Sequence, residues 1–526
     1  MDVSSLKTRL APRWQSWLAP ACVVACTLTT LTPPAEATII NVTPADNYTK
    51  IEAAQAGDEV VIAPGTYRFR VYLTKQGTKL NPIKIRAQDP NNKPVWDFSA
   101  SLVESAPGSY GAGDRGRGGW QISGGAYYEI SGIVITNGRN ADKNCAAIRY
   151  YNGTTGLYVS DCRFSLNDNG VTGGTQESDA VFEFCEFDRN GNVNASAATH
   201  NLYIYGGTFA LRYSYVHDSV QAENFHIRCH TTYLEYNWFA RAKNYEGDLM
   251  TNDDFSGNGP FTQTMFIRGN VFIQSISPGN HSQVLVIYND VGLPNENMSM
   301  QIMGNTYVGN GLPGNGGGAA FVHLSNADGT TMSAEVSNNI ISGTTLPILI
   351  EDPVHASVQG TNNWLKTGVA PGGLTGSIFS AAPGFQNAGA FDYTLAPGSA
   401  AIGTAATLPP GLAPAREYFQ NQTVTLQFRP RSRAQDIGAL ESSTSGASFG
   451  PNDVQPLPTL TTQLVAGNVM LTWPLTASGF GLQQVGTLDG SAAWATIPGL
   501  YPSSAAGFGF TLPQPVGKAF YRLAKP

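Results

Sequence analysis

The sequence predicts an all-β protein in which a long coil of stacked β-strands is followed by a small β-sandwich. Of the 526 residues only 13% are charged, whereas 58 are glycine and 10% are aromatic. This profile favours a β-rich extracellular protein over a helical enzyme. In addition, one short motif recurs along the middle of the chain at variable spacing. Such recurrence indicates a coil whose strands stack while some of its turns grow longer.

The first 37 residues are predicted to be a signal peptide. Basic residues precede a short apolar run, and the small residues Ala35 and Ala37 suit a cleavage site before Thr38. The run is too short and too rich in threonine to predict a transmembrane segment. A lipoprotein-like attachment at Cys26 is the alternative. Either reading predicts a secreted, periplasmic or cell-surface protein.

The recurring motif places Asn, Cys or Ser between apolar residues, at a position that we call the anchor. The anchors are Cys162, Cys185, Ser214, Asn237, Asn270, Asn305 and Asn339. Asparagine tolerates a tight bend and can hydrogen-bond to the equivalent side chain of the next rung. We therefore expect about ten rungs, stacked about 4.8 Å apart, with the anchors in one internal column. Cys162 and Cys185 are expected to be buried members of that column, although a disulfide between them stays open.

Several segments carry a more specific resemblance. "GDEVVIAPGTY", "SNNII", "FDYTLAPGSAAIGTA" and "DIGALE" resemble secreted right-handed parallel β-helix proteins of the pectate-lyase-like superfamily. The last two segments are similar to the closing segments of those proteins. The resemblance covers residues 38–441 and implies a right-handed parallel β-helix. Because lyases, hydrolases, epimerases and adhesins share this architecture, it does not define the activity.

The amino-acid composition of the chain changes after residue 441. Residues 442–458 are rich in Ser, Gly and Pro, as a linker would be. Residues 459–526 alternate apolar and polar positions between turns, which predicts a small C-terminal β-sandwich. This segment resembles exported modules that end in "FYRL", for which docking, sorting or carbohydrate contact are the available roles.

Three consecutive short strands, "HNLYIY", "ENFHIR" and "DLMTND", predict a polar outer wall of the coil. Alignment by alternation buries their apolar residues and leaves three outward columns. The columns are Asn201, Asn224 and Asp248; Tyr203, His226 and Met250; and Tyr205, Arg228 and Asn252. His323 is expected on a neighbouring rung. A slip of one residue would turn every side chain over.

This wall contains the residue types that a polysaccharide lyase needs. Such an enzyme removes the proton α to a uronate carboxylate, which requires a cation, a base and a proton donor. Arg228 could supply the charge, and His226 or Tyr205 could carry the proton. The candidate substrate-binding residues are Asn201, Tyr203, Asn224, Asn252 and His323.

A metal ion is a second candidate source of charge. Glu223, Asp248 and Asp253 could bind Ca²⁺ through oxygen atoms. The rung around Arg228 also resembles β-helix lyases of the alginate-lyase and chondroitinase-B type. That resemblance puts Arg228 near the position of the catalytic lysine and Glu223 near a metal-binding glutamate. The chain departs from the pattern at Gln221, and the basic residue of the next rung is missing.

The sequence therefore favours an exported, lyase-like protein that acts on an acidic polysaccharide. A β-helix glycoside hydrolase using Asp253 and Asp254, an epimerase, and a non-catalytic glycan-binding or cell-surface structural protein remain alternatives. The net charge of −7 and the lack of a basic run argue against a nucleic-acid partner. No nucleotide-binding or redox motif is present. We expect a monomer.

Overall fold

The computed structural model describes residues 37–524 with internal gaps. The gaps are 101–117, 252–260, 275–283, 289–295, 311–319, 326–329, 410, 419–425, 443–446, 454–458, 466, 474–480, 489–493, 498–502, 505–506 and 513–517. A 20-stranded sheet and a 12-stranded sheet dominate the described part, and the strands within both pair in parallel. The predicted all-β parallel β-helix is thereby confirmed. Crossovers between parallel strands are right-handed as a rule.

The coil has three walls, which we call walls A, B and C. Wall A consists of Val71–Leu73, Gly118–Ser123, Ala146–Tyr151, Asn169–Gly173, the first halves of Leu202–Arg212 and Phe225–Glu235, Gly247–Met250, Leu285–Tyr288, Ala320–Ser325 and Leu346–Ile350. Wall B consists of Ile39–Val42, Glu59–Ile62, Ile83–Ala87, Tyr128–Ser131, Leu157–Ser160, Asp179–Glu183, the second halves of the same two long strands, Phe261–Arg268, Glu296–Met303, Thr331–Ser337 and Ala356–Gln359. The two long strands run through both walls and join them into the larger sheet.

Wall C is the 12-stranded sheet. Its strands are Thr66–Tyr67, Val95–Asp97, Val134–Thr136, Arg163–Ser165, Glu186–Asp188, Tyr215–His217, Trp238–Ala240, Val271–Ile273, Thr306–Val308, Ile340–Ser342, Trp364–Lys366 and Ile378–Ser380. One short helix, Thr49–Ala53, lies near the start of the coil. Ten strands of wall A and twelve each of walls B and C are described, which is close to the expected number of about ten rungs.

Apolar side chains fill the inside of the coil because alternate residues of each strand point inward. Val171, Leu202 and Phe225 occupy one inner column of wall A, since each pairs with the next in register. Gly247 is the following member. The ring of Phe225 occupies the space that a Cβ atom at Gly247 would need. Glycine at this position therefore lets two rungs stack closely.

The predicted anchor column is present at the bend between walls B and C. The Asn237 side-chain amide donates to Asn270 Oδ1 (3.1 Å), and Asn270 donates to Asn305 in the same way (3.0 Å). Asn305 continues the column to Asn339, which donates to Asn363. Ser214 and Cys185 extend it in the other direction. Cys145, Cys162, Cys185 and Cys229 are buried free thiols.

After the coil, the chain returns along its outside. Two antiparallel hairpins form this returning segment: Phe385–Asn387 with Asp392–Leu395, and Arg416–Tyr418 with Phe428–Pro430. The first hairpin contains a 3-10 turn at Ala388–Ala390. Trp238 of wall C donates from Nε1 to the carbonyl of Tyr418 (3.0 Å). The predicted β-helix domain of residues 38–441 thus includes a segment that packs against the outside of the coil.

The C-terminal residues form two small antiparallel sheets. One contains Thr461–Val465, Asn468–Trp473, Ser503–Ser504 and Gly507–Leu512; the other contains Gly481–Val485, Ala495–Thr496 and Phe520–Ala524. Leu471 and Trp473 of the first sheet share an apolar cluster with Leu482 of the second and with Ile497. No helix in the described ranges is long and apolar enough to cross a membrane.

Candidate functional site

The outer face of wall A brings the main candidate residues together. Tyr203 pairs with His226, and Tyr205 pairs with Arg228 on the next strand. His226 in turn pairs with Asp248. Because neighbouring parallel strands lie about 4.8 Å apart, these side chains are direct neighbours.

The register corrects the expected position of Asp248. The sequence alignment placed Leu249 beside Phe225, whereas Leu249 pairs with Ile227. The strand is shifted by two residues, so the same side chains face outward but have different neighbours. Asp248 therefore lies beside His226 instead of Asn224.

Asn201 and Asn224 were expected to face outward, and this expectation is wrong. Both are completely buried. The Asn201 amide donates to the carbonyl of His217 and to Asn224 Oδ1, both at 2.8 Å. Asn224 donates to the carbonyl of Ala240 (3.0 Å) and to Glu246 (2.8 Å). These residues stand at the bend before each strand, where inward amides satisfy backbone carbonyls that would otherwise be unpaired.

They belong to a second internal column, at the bend between walls C and A, which we call the inner ladder. Its members are Asn167, Asn190, Asn201, Asn224 and Glu246. Burial raises the pKa of Glu246 to about 8, although hydrogen bonds from the backbone of Ala242 and from Asn224 oppose the shift. The inner ladder fixes the position of the residues that precede each strand of wall A.

An open groove of about 660 Å³ runs across the strands of wall A. It is lined by Asn144, Ala197, Ala198, His200, Tyr203, Glu223, His226, Arg228, Tyr245, Asp248, Met250, Val286, His323, Ser325 and Glu351. Because the lining residues come from successive rungs, the groove follows the axis of the coil. Its volume is in the range of small-molecule and oligomer-binding clefts.

Arg228 lies in the middle of the groove and contacts His226. The Arg228 Nε–H group donates to His226 Nε2 (3.0 Å). The other ring nitrogen, Nδ1, lies 2.9 Å from Asp248 Oδ1. Burial raises the pKa of Asp248, and the nearby His226 acts in the opposite direction. Both ring nitrogens of His226 thus have neighbours, and the imidazole holds the guanidinium in place.

A second histidine–carboxylate contact lies one rung away. His200 Nδ1 is 3.0 Å from Glu223 Oε2, and both residues are buried. Burial alone would raise the pKa of Glu223, but His200, a backbone hydrogen bond and His226 together outweigh burial, so the net shift is downward. The His200 and His226 rings lie side by side with 5.1 Å between their centroids.

Further along the groove, His323 lies in the same outward column as Asp248, with Val286 between them. Its Nε2 atom is 2.9 Å from Glu351 Oε1. Burial lowers the pKa of His323, and the Glu351 carboxylate opposes this shift. This end of the groove is therefore acidic, whereas its middle carries the Arg228 cation.

Two tyrosines flank the central histidine and arginine. The Tyr203 ring meets the His226 ring edge-to-face at 4.7 Å between centroids, and the Tyr205 ring lies 5.9 Å from Tyr203. Both tyrosines are partly exposed. Asn252, Asp253 and Asp254 lie outside the described residues, so their predicted roles remain predictions.

The sequence did not single out Tyr245 and Glu351 as groove residues, whereas His200 was expected to join the wall from a neighbouring rung. For Tyr245 a signal was present. His200 precedes Asn201, Glu223 precedes Asn224 and Tyr245 precedes Glu246. The residue before each of these inner-ladder members therefore lines the groove. The repeated pattern of a groove residue followed by an inner-ladder residue can be recognised only once Asn201 and Asn224 are known to point inward.

The donors that converge for a metal ion differ from the predicted calcium set. Among the described residues of this groove they are His200, Glu223 and His226, whose ligand atoms lie within 4.8 Å of one another. Calcium prefers oxygen donors alone. Of the predicted set, only Glu223 belongs to this group. The prediction of Ca²⁺ remains open to metal analysis.

No protein-family model matches the chain, and no curated protein matches it. Among solved structures, the chain is similar to an alginate lyase from Paenibacillus sp. str. FPU-7, with 15% identity, a TM-score of 0.37 and coverage of 61% of this chain and 99% of that one. It is similar to pectate lyase Pel9A with 14% identity, a TM-score of 0.45 and coverage of 78% and 97%. It is also similar to the catalytic unit of a GH87 α-1,3-glucanase from Streptomyces thermodiastaticus strain HF3-3, with 15% identity, a TM-score of 0.39 and coverage of 66% and 65%. At these identities and scores, the likeness says nothing about a substrate.

Proposed function

We propose that this protein is exported and cleaves an acidic polysaccharide by β-elimination in the groove of wall A. The observation that carries the proposal is Arg228, a cation that His226 holds in the middle of an open groove. A guanidinium in this setting suits a carboxylate, which it can bind through paired N–H groups. The repeating uronate carboxylates of an acidic polysaccharide would supply that partner.

The reaction needs one proton transfer on each side of a bond cleavage. A base takes the proton from the carbon α to the uronate carboxylate, and the electron pair forms a carbon–carbon double bond. The bond from the adjacent carbon to the glycosidic oxygen breaks, and that oxygen takes up a proton. Arg228 would stabilise the negative charge that develops on the carboxylate.

Tyr205 is the residue that we expect to carry the proton. It pairs with Arg228 on the neighbouring strand and is partly exposed. His226 is less suited to this task because Arg228 and Asp248 lie against its two ring nitrogens. We therefore assign His226 and Asp248 the role of positioning Arg228. Tyr203 and His323 are expected to contact the sugar chain.

Non-catalytic glycan binding is the second candidate. It is favoured by the same engagement of His226, because a groove whose central histidine has neighbours at both ring nitrogens can still bind a polyanionic chain. In that case Arg228 and the tyrosines would provide affinity without turnover.

A panel of alginate, pectate, chondroitin and neutral glycans tests the proposal, with absorbance of unsaturated ends and new reducing ends followed together. We expect both signals from an acidic glycan, and their loss in Arg228→Ala. Arg68→Ala is the matched control, because Arg68 is an exposed arginine paired with Asp97 beside a different wall. It should behave like the wild type.

Other outcomes contradict β-elimination in distinct ways. Reducing ends without the absorbance would show hydrolysis. Retention on a glycan affinity gel without either product would show the binding function. Full activity in Arg228→Ala would remove this groove from the reaction.

A further inference from the structure

We propose that His200, Glu223 and His226 form a binding site for a divalent transition-metal ion of the zinc class. One donor atom from each residue lies within 4.8 Å of the other two. All three residues are buried, with exposed fractions of 3%, 4% and 9%. Buried histidine and carboxylate groups that converge on one point are the donors that such ions select.

The contact between His200 and Glu223 has the separation, but not the orientation, of a hydrogen bond. The two atoms are 3.0 Å apart, yet His200 Nδ1 has no hydrogen-bond partner among the described residues. A buried nitrogen without a partner is costly in a folded protein. Two ligands of a tetrahedral zinc ion, each about 2.0–2.1 Å from it, lie about 3.3 Å apart. The observed separation is close to that value.

The fold holds the donors in place without the ion. His200 and Glu223 directly precede Asn201 and Asn224, whose side chains are hydrogen-bonded at 2.8 Å in the inner ladder. The backbone N–H of His200 also donates to Asn169 Oδ1 (2.8 Å). A donor set that is fixed by its surroundings loses little entropy on binding.

The donor types decide the class of ion. Two imidazoles and one carboxylate match the three protein ligands of zinc sites that keep a fourth position open. Calcium would require oxygen atoms in place of the imidazole nitrogens. Because both nitrogens of His226 have neighbours, the ion would displace either Asp248 or Arg228 from one of them. The displaced group would become an outer partner of the ligand.

A second cluster of three possible ligands, with one histidine and two carboxylates, lies at wall C and serves as a comparison. Asp188, His217 and Asp218 also lie within 4.8 Å of one another. There, however, Arg241 contacts Asp218 and Arg189 contacts Asp188, at 2.6 and 2.7 Å. Arginines already neutralise both carboxylates, so we expect no metal at this group. In the groove, by contrast, no arginine forms an ion pair with Glu223 among the described residues.

The experiment is zinc titration of the tag-free full chain, after chelator treatment and dialysis, by calorimetry and by metal analysis. Wild type is expected to bind one zinc ion per chain. Glu223→Gln keeps the size of the side chain and removes its charge, and His200→Ala removes one donor. Each variant should weaken binding at least tenfold, whereas His217→Ala should bind like the wild type. Circular dichroism spectra and thermal melts confirm that each variant is folded.

The proposal is overturned if folded wild type takes up no zinc, or if Glu223→Gln and His200→Ala bind as tightly as wild type. Loss of binding in His217→Ala would place the site on wall C instead. Preference for Ca²⁺ over Zn²⁺ would also overturn it. Since the readout is metal content and affinity, the result does not depend on whether the groove cleaves a glycan.

Discussion

Arg228 shows how a single residue on a regular solenoid becomes a candidate for chemistry. A strand of wall A places it outward, the pairing of strands places Tyr205 beside it, and His226 fixes its orientation. Asp248 completes a line of three polar groups from a buried carboxylate to a partly exposed cation. Each of these relations follows from the period of two along the strand and the register between strands.

At this scale, alternation predicted the outward positions of Tyr203, Tyr205, His226 and Arg228. It failed for Asn201 and Asn224 because they belong to the bend and not to the strand, so the period of two does not apply to them. Asp248 was placed beside the wrong neighbour because Gly247, which has no side chain, occupies the inner position beside Phe225, and the alignment assigned that position to Leu249. Sequence alternation alone cannot distinguish a shift of two residues.

Glu235 gives a prediction about acid stability. This buried carboxylate lies between Arg212 (Nε at 2.6 Å) and Arg268 (Nε at 2.5 Å) on neighbouring rungs. Burial opposes its ionisation, but the two cations outweigh burial and hold its pKa at about 2. Since the unfolded pKa is about 4.3, ionised Glu235 stabilises the fold above that pH, and this contribution is lost as the pH falls towards 2.

We therefore expect Glu235→Gln to lower the free energy of unfolding at pH 7 by about 2–3 kcal/mol. The difference in unfolding free energy between wild type and variant should shrink as the pH falls from about 5 to about 2. This range spans the unfolded and folded pKa values of Glu235. Urea unfolding across this range provides the measurement. Glu59→Gln, in a partly exposed pair with Arg86, is the control. A difference that stays constant with pH would contradict this account of Glu235.

At the scale of elements, the coil depends on its bends as much as on its strands. The anchor column was predicted from the recurring motif because asparagine there recurs beside apolar residues. The inner ladder was not predicted, since its members are Asn at four positions but Glu at the fifth and their spacing is irregular. The inner ladder lies at the bend where each rung enters wall A, and the anchor column lies at the bend where it leaves wall B. The two columns therefore flank the continuous stretch formed by walls A and B.

Asn270 tests the strength of the anchor column. Its side chain donates to Leu234 O and Asn305 Oδ1, and it accepts from the backbone and side-chain N–H groups of Asn237. Asn270→Ala would leave several buried groups without partners, each at a cost of about 1–3 kcal/mol. We expect destabilisation of at least about 3 kcal/mol in urea unfolding.

The exposed Asn92, replaced by alanine, is the matched control for this variant. Its unfolding midpoint should stay near that of the wild type. Equal midpoints for Asn270→Ala and Asn92→Ala would mean that the column contributes little to stability.

At the scale of the molecule, the returning segment and the groove lie on different sides of the coil. Phe428 and Tyr213 stack at 4.5 Å between centroids, and Trp238 bonds to Tyr418, so the returning segment lies against the bend between walls B and C and against wall C. The groove residues lie on the outer face of wall A. The sequence predicted the closing segments by resemblance, but not where they pack, because contacts between distant parts of a chain leave no periodic signal.

The central claim is that Arg228 makes the groove of wall A selective for carboxylate-bearing sugars. The most direct measurement is the affinity of wild type and Arg228→Ala for a uronate oligosaccharide and for the same oligosaccharide with its carboxyl groups reduced to alcohols. We expect wild type to bind the acidic form at least about tenfold more tightly, since a charge-assisted pair contributes about 1.5–3 kcal/mol. Arg228→Ala should bind both forms equally. If the variant keeps the preference of the wild type, another part of the molecule recognises the carboxylate and the claim is wrong.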